Sequence, residues 1–227
     1  MATRTQSSTV SPTPPPLLGM AHGAGGIAAA LAQLAAVSSD PGFPRAARRA
    51  LAYEQALFVP EAGNWPDLRG DDGSEARPAR FGWAWCHGAP GVGMARLATP
   101  LHAVSGQVQA DVATALARTE AGGFGGFHNL CHGDLGNTEL LLLAGDQGGA
   151  LRRAHTVLEH HRQAGAWSCG TPDGVETPSL LTGIAGIGFQ LLRLADPARV
   201  PSLLTLEGPA GAGRTSPAPS SSCVRPG

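Results

Sequence analysis

Two short motifs place a cysteine and a histidine at the same point of a repeated pattern. Cys86-His87 and Cys131-His132 are each followed by a glycine and then by apolar residues at helical spacing. Thiolates and imidazoles are favoured zinc ligands, and three protein ligands leave a fourth position open, as in catalytic zinc sites. No Cys-x-x-Cys pair occurs, so this is not a zinc-finger pattern. Spacing alone leaves two interpretations open: one shared zinc site, or separate buried cysteines.

The elements that must position these motifs form a repeat. Four segments share a Gly-x-x-Gly kernel that leads into a helix-period apolar stretch: residues 19–34, 86–97, 131–143 and 182–194. Their starts lie roughly 45 to 65 residues apart, the scale of helical-hairpin repeats. Amphipathic stretches lie between them, at residues 45–58, 107–118 and 150–162. The sequence therefore predicts an all-α fold of alternating inner and outer helices, with the cysteine motifs converging at one end.

Composition narrows the class of partner. Of the 227 residues only 15% are charged, and the formal net charge is −1, so neither nucleic acid nor an anionic membrane is expected as a partner. No apolar run approaches the roughly 18 residues of a membrane helix. The N-terminus lacks the apolar core of a signal peptide. We expect a cytoplasmic protein, in which the four cysteines stay reduced and serve as ligands, catalytic groups or bystanders rather than disulfide partners.

Composition also suggests the domain boundaries. Residues 1–16 are rich in Ser, Thr and Pro and predict a disordered arm, and residues 208–227 predict a disordered tail. Residues 17–207 then form one domain. Two long polar loops interrupt its repeat, at residues 59–85 and 163–181. Loops of this length inside a compact domain are usually functional or disordered.

Several motifs, in the same order along the chain, resemble those of the lanthionine synthetase C-like (LanC-like) family. The sequences Trp-Cys-His-Gly-Ala-Pro-Gly at 85–91 and Leu-Cys-His-Gly-Asp-Leu-Gly-Asn at 130–137 resemble its two metal-binding motifs. Residues 21–27 resemble its upstream histidine motif, and residues 182–197 resemble its last inner helix. Residues 64–69 and 200–204 point to the cyclase half of the bifunctional, type 2 lanthipeptide synthetases. The resemblance spans residues 17–207.

This resemblance implies a site and a reaction. Cys86, Cys131 and His132 would ligate one zinc ion per chain, and His22 matches the family's proposed acid/base histidine. His87 stands where some relatives have Tyr and is a second candidate for proton transfer. The implied reaction is the addition of a peptide cysteine thiolate to dehydroalanine or dehydrobutyrine, which forms a thioether ring after protonation of the enolate. The implied partner is a dehydrated precursor peptide.

The chain also departs from the family pattern. The family's arginine before the first cysteine motif aligns with Gly82, and Arg80 is only nearby. The family's early catalytic aspartate lies upstream of the resemblance. A LanC-like α/α toroid is a ring of about seven hairpins, whereas four inner helices are predicted here, so we expect an incomplete toroid. A separate dehydratase, or a missing N-terminal part, would then complete the system. The alternative function is a catalytically inactive remnant that binds zinc and peptide.

Other polar residues receive structural interpretations. Cys169 and Cys223 are predicted bystanders, in a loop and in the tail. His160 and His161 end an outer helix, where cations complement the helix dipole, so a solvated surface is expected. His128 is interpreted as structural, although it could line the site.

Overall fold

The computed structural model describes residues 15–69, 79–99 and 106–208. Its helices are α1 (Ala24–Ala35), α2 (Gly42–Ala56), α3 (Ala89–Leu97), α4 (Gly106–Gly122), α5 (Asp134–Leu143), α6 (Gln147–Ala164) and α7 (Ile184–Ala195). A two-stranded ribbon, β1 (Trp83–Ala84) and β2 (His87–Gly88), precedes α3, and Pro172–Gly174 form a short 3-10 turn. Apart from residues 15, 16 and 208, the predicted arm and tail lie outside the described residues.

The helices form an arc of hairpins. Helix α1 packs on α2, α3 on α4, and α5 on α6, while α7 contacts both α5 and α6. The inner helices contact each other in the order α1, α3, α5, α7. The predicted all-α alternation of inner and outer helices is therefore confirmed. The ribbon before α3 was not predicted, because two residues per strand are too short to show a period of two.

The two central inner helices, α3 and α5, are enclosed by their neighbours. In α3, every residue from 89 to 96 is buried, and in α5 every residue from 134 to 141 is buried. Outer helix α6 buries only four residues and exposes the rest to solvent. A helix that is buried all round requires other helices on every side. This requirement explains why the chain alternates between apolar helices and amphipathic ones.

Glycines in the first turn of each inner helix explain how the preceding loop fits. A side chain on the second glycine of each Gly-x-x-Gly would overlap a backbone carbonyl six residues earlier, and these glycines are Gly26, Gly91, Gly136 and Gly186. The carbonyls belong to Met20, Trp85, Leu130 and Leu180. Each loop therefore crosses tightly over the start of its helix, which only glycine permits. This shared crossing places the residues just before each first glycine at equivalent positions.

The two ends of the arc carry exposed apolar side chains. On α1, Ile27 is 57% exposed and Leu34 is also exposed; on α7, Leu192 is 63% exposed and Ile184 is exposed as well. Contiguous exposed apolar surface at a helix edge is typical of a face that other protein covers.

In the described ranges, no helix is long and apolar enough to cross a membrane.

Candidate metal centre and active site

The shared loop crossing brings the chemistry to one end of the arc. The two positions before the first glycine of each repeat hold Ala21-His22, Cys86-His87, Cys131-His132 and Leu181-Thr182. The loops also contact one another: the backbone N–H groups of Leu130 and Cys131 both donate to the carbonyl of Leu181. The backbone of Gly19 lies so close to His87 that a side chain there would overlap it. Equivalent sequence positions therefore meet in space.

Cys86 and Cys131 form the centre of this cluster. Cys131 interacts with the side chains of both Cys86 and His132, and these interactions shift the pKa values of the two thiols. The hydrogen bond from Cys86 lowers the pKa of Cys131 to about 5, with help from the hydrogen bond and positive charge of His132 and from the charge of His22. The pKa of Cys86 is raised, because its proton is shared with Cys131 and its side chain is buried. The two thiols thus act as one unit that readily holds a single negative charge.

His132 is fixed by its own loop and by the loop before α7. Its backbone N–H donates to Oδ1 of Asn129 at 3.0 Å. Its ring packs edge-on against Phe127, with centroids 5.4 Å apart. A side chain at Gly170 would overlap this ring, so the glycine makes room for it. Asn129 and Gly170 therefore orient an imidazole next to the thiols, and neither was identified from the sequence.

These three side chains have the donor chemistry of a zinc site. Two thiols and one imidazole are a common zinc ligand set, and such a set leaves a fourth tetrahedral position for substrate. In the described part of the chain, no group of three or more His, Cys, Asp or Glu side chains surrounds a common centre as a formed metal site does. Cys131 is coupled electrostatically to Cys86 and to His132. Their chemistry fits zinc, whereas the metal assignment itself remains a prediction.

A narrow cleft opens beside Cys86. It is lined by His22 and His87 together with Leu17, Leu18, Pro66, Asp67, Leu68 and Arg69. His22 is exposed at this cleft, where its charge acts on both Cys131 and His87. The structure therefore brings both predicted acid/base histidines next to the predicted metal ligands. Their chemical roles stay predictions.

His87 has partners that the sequence did not suggest. Its Nδ1 lies 3.0 Å from the sulfur of Cys86, and its Nε2 lies 2.8 Å from Nη2 of Arg69. Burial and the charge of Arg69 lower the pKa of His87, against the opposing charge of Asp67. A side chain at Gly82 would overlap this ring, which explains why a glycine precedes the ribbon. Asp67 and Arg69 come from the long loop that composition marked as functional or disordered.

The remaining candidates make contacts of their own. Cys169 is buried in an apolar cluster with Leu135 and Ile187, and its interpretation as a bystander stays a prediction. Cys223 lies outside the described residues. His128 is buried, and its Nε2 lies 2.8 Å from Nδ1 of His160; its structural role stays a prediction.

The prediction of a merely solvated surface for the two histidines at the end of α6 was incomplete. His160 is the hydrogen-bond partner of His128, while His161 stacks on Trp167 with ring centroids 3.9 Å apart. The loop that carries Trp167 folds back onto α6, where Trp167 covers the ring of His161. The position of a histidine at a helix end indicates its interaction with the helix dipole, but it does not indicate whether a later loop packs against it.

Comparison with known proteins agrees with this fold. The family model described as "Lanthionine synthetase C-like protein" matches residues 4–205, and the chain belongs to this family. Among solved structures, the chain is similar to one titled "Nisin cyclase", with a TM-score of 0.60 and 18% sequence identity. The match covers 80% of this chain and 47% of that one, so the chain spans about half the length of that structure. No curated protein sequence matches the chain.

Proposed function

We propose that this chain is the zinc-binding, ring-forming portion of a lanthionine cyclase. The observation that carries the proposal is the convergence of the loops that hold Cys86, Cys131 and His132 at equivalent positions of adjacent repeats, where Cys131 interacts electrostatically with both Cys86 and His132. Family membership and the fold it shares with a nisin cyclase support the proposal. The substrate would be a dehydrated peptide that carries cysteine together with dehydroalanine or dehydrobutyrine.

The residues of the cluster would hold one zinc ion. When bound, zinc would supply the positive charge that keeps a peptide cysteine in its thiolate form near neutral pH. Cys86, Cys131 and His132 leave one tetrahedral position for that sulfur. The low pKa of Cys131, about 5, means that the cluster gives up its first proton without an external base. Metal binding would displace the second thiol proton as well.

Ring closure then needs a proton donor on the protein. The peptide thiolate forms a C–S bond to the β-carbon of the dehydro residue, and the electron pair of the double bond moves to an enolate. A protonated imidazole returns a proton to the α-carbon, so the thiol proton is balanced by the new C–H bond. His22 suits this role, because it is exposed at the cleft next to Cys86 and within electrostatic reach of Cys131.

The test is ring closure on a dehydrated precursor peptide, followed by mass spectrometry after treatment with a thiol-alkylating reagent. A closed ring leaves no free thiol, so cyclised peptide gains no alkyl group. We expect His22→Ala to slow closure by about 10²–10⁴-fold, as the loss of a general acid does. His155→Ala is the matched control, because the His155 side chain is 72% exposed on α6 and lines no part of this cleft. Equal rates with and without His22 would refute its acid/base role.

A second candidate is a zinc- and peptide-binding protein without cyclase activity. The observation that favours it is the match to only 47% of the nisin cyclase chain. This candidate predicts zinc in the protein but no thiol consumption on the dehydrated peptide. If the chain consumes no thiol, the same pair of histidine variants should be compared in a longer version with the missing hairpins restored. Thiol consumption by the chain itself would exclude the second candidate.

A further inference from the structure

The loop before the ribbon is pinned next to His87. The N–H of Asp67 donates to the carbonyl of Arg80 at 2.7 Å, and Nη2 of Arg80 donates to the carbonyl of Arg69 at 2.6 Å. Pro66 and Phe81 form an antiparallel bridge between the same two segments. These contacts fix the backbone on both sides of Leu68. The side chains of Asp67 and Arg69 therefore have a defined position at the cleft.

Asp67 holds the Arg69 side chain in place. Its carboxylate accepts hydrogen bonds from the backbone N–H of Arg69 at 3.0 Å, from Nε at 2.9 Å and from Nη2 at 2.8 Å. The Asp67 side chain is only 10% exposed, whereas that of Arg69 is 50% exposed. Paired, charge-assisted hydrogen bonds of this kind fix the plane of a guanidinium. The same Nη2 then lies 2.8 Å from Nε2 of His87.

The chemistry of arginine decides where the His87 proton lies. A guanidinium has donors and no acceptor, so Nε2 of His87 must accept the hydrogen bond from Arg69. A neutral imidazole with an accepting Nε2 carries its hydrogen on Nδ1. That Nδ1 lies 3.0 Å from the sulfur of Cys86 and donates to it. The contacts thus run in one direction, from the arginine to the histidine to the sulfur.

We propose that Asp67 and Arg69 are positioning residues that hold His87 with its ring proton directed at the sulfur of Cys86. A hydrogen bond to a thiolate draws electron density from the sulfur and makes it a weaker donor to a bound metal, which stays more electrophilic. His87 would then tune a ligand, and proton transfer to the peptide would fall to His22 alone. This consequence for ring closure rests on the proposed function, whereas the tautomer does not.

The test is the tautomer of His87, read by nuclear magnetic resonance of the full chain labelled with ¹⁵N-histidine. Long-range ¹H–¹⁵N correlation distinguishes protonated from unprotonated ring nitrogens, and a His87→Gln spectrum identifies the His87 signals. We expect a hydrogen on Nδ1 in the protein with its natural sequence. In Arg69→Met the ring should change to the Nε2-protonated form, which free imidazole side chains prefer. Arg199→Met is the matched control, because it removes an arginine from an exposed Asp-Arg pair elsewhere, at Asp196.

Two further variants keep the test decisive. If circular dichroism shows that Arg69→Met does not fold, Asp67→Asn can replace it, because it removes the carboxylate with little change in volume. This variant should also change the His87 ring to the Nε2-protonated form. Arg69→Lys restores a donor-only cation, so it should recover at least part of the Nδ1-protonated population. A ring protonated on Nε2 in the unmodified protein, or one unchanged in folded Arg69→Met and Asp67→Asn, would overturn the proposal.

Zinc content separates this proposal from the proposed function. We expect Arg69→Met to retain zinc and to slow ring closure by about 10–100-fold, as the loss of outer contacts of a metal ligand does. If Cys86→Ala and Cys131→Ala still retain all their zinc, the proposed function fails while the tautomer result stands. If those cysteine variants lose zinc but Arg69→Met leaves the tautomer unchanged, only the positioning role fails.

Discussion

Glu54, on outer helix α2, links inner helices α1 and α3 to the loop that carries His22. Its replacement by glutamine should destabilise the chain strongly. The Glu54 side chain is fully buried on α2. Its Oε1 accepts from the backbone N–H groups of Gly19 and Gly25 at 2.7 and 2.8 Å, and its Oε2 accepts from Nη1 of Arg96 at 2.7 Å. Glutamine keeps the volume and one acceptor oxygen. Its amide N–H₂ must then face either the guanidinium or the backbone donors, and every such pairing sets donor against donor.

The expected loss of unfolding free energy depends on which partners Arg96 retains. Breaking a buried ion pair by removing one charge costs about 3–5 kcal/mol, because the other charge stays buried. Nε of Arg96 still donates to Asp111 at 3.0 Å, so we expect the lower end, about 3 kcal/mol. With a urea slope of roughly 2 kcal/mol per molar, the unfolding midpoint should fall by about 1.5 M. Unfolding in urea followed by circular dichroism measures this shift.

Glu120→Gln provides the matched control. Glu120 also pairs with an arginine, Arg153, at 2.5 Å, but the two side chains are 40% and 37% exposed. Exposed pairs contribute at most about 1 kcal/mol, so the control midpoint should hardly move. If Glu54→Gln and Glu120→Gln shift the midpoint equally, the buried network does not organise these helices in the way argued here.

Two other predictions concern stability. On α7, Gly186→Ala should destabilise the chain by about 1–3 kcal/mol, because the new side chain would overlap the carbonyl of Leu180. Gly188→Ala meets open space and should instead stabilise the chain by roughly 0.5–1 kcal/mol. Urea unfolding that gives both changes the same sign would contradict the loop crossing. Burial and the charges of His160 and His161 lower the pKa of His128, against the opposing charge of Asp134. The unfolded chain therefore binds this proton more tightly, and stability should fall as the pH drops below about 6.5, the ordinary pKa of histidine. His128→Gln should reduce that slope relative to the exposed-site control His155→Gln, and an unchanged slope would refute the assignment.

The helices could be predicted from the sequence because their apolar spacing and their glycines are local signals. The stretch 182–194 was predicted as an inner helix, and α7 runs from Ile184 to Ala195. The outer stretch 107–118 lies within α4, Gly106–Gly122. Each prediction depends only on residues three or four positions apart, which the folded chain keeps as neighbours. The same spacing could not show that Glu54 is buried on an amphipathic outer helix, since its partners lie on other elements.

In the candidate site, too, some residues could be predicted from the repeat and others could not. Cys86, Cys131 and their adjacent histidines could be predicted because they share a position in the repeat, and equivalent positions converge in a ring of hairpins. Arg69 could not, because its loop has no place in the repeat and is held near His87 by contacts with Arg80 and Phe81. The family's arginine aligns with Gly82 in this sequence. In the structure the guanidinium near the two cysteines belongs to Arg69 instead. Residues outside a repeat are located by tertiary contacts, which no local pattern records.

Zinc content tests the central claim most directly. We predict about one zinc per chain of the purified protein, measured by inductively coupled plasma mass spectrometry against protein concentration. Cys86→Ala and Cys131→Ala should abolish it, because each removes one of the three proposed ligands. Cys169→Ala and Cys223→Ala should leave it in place, which controls for the loss of any cysteine. Unchanged zinc in both Cys86→Ala and Cys131→Ala would contradict the assignment of this cluster as the metal centre.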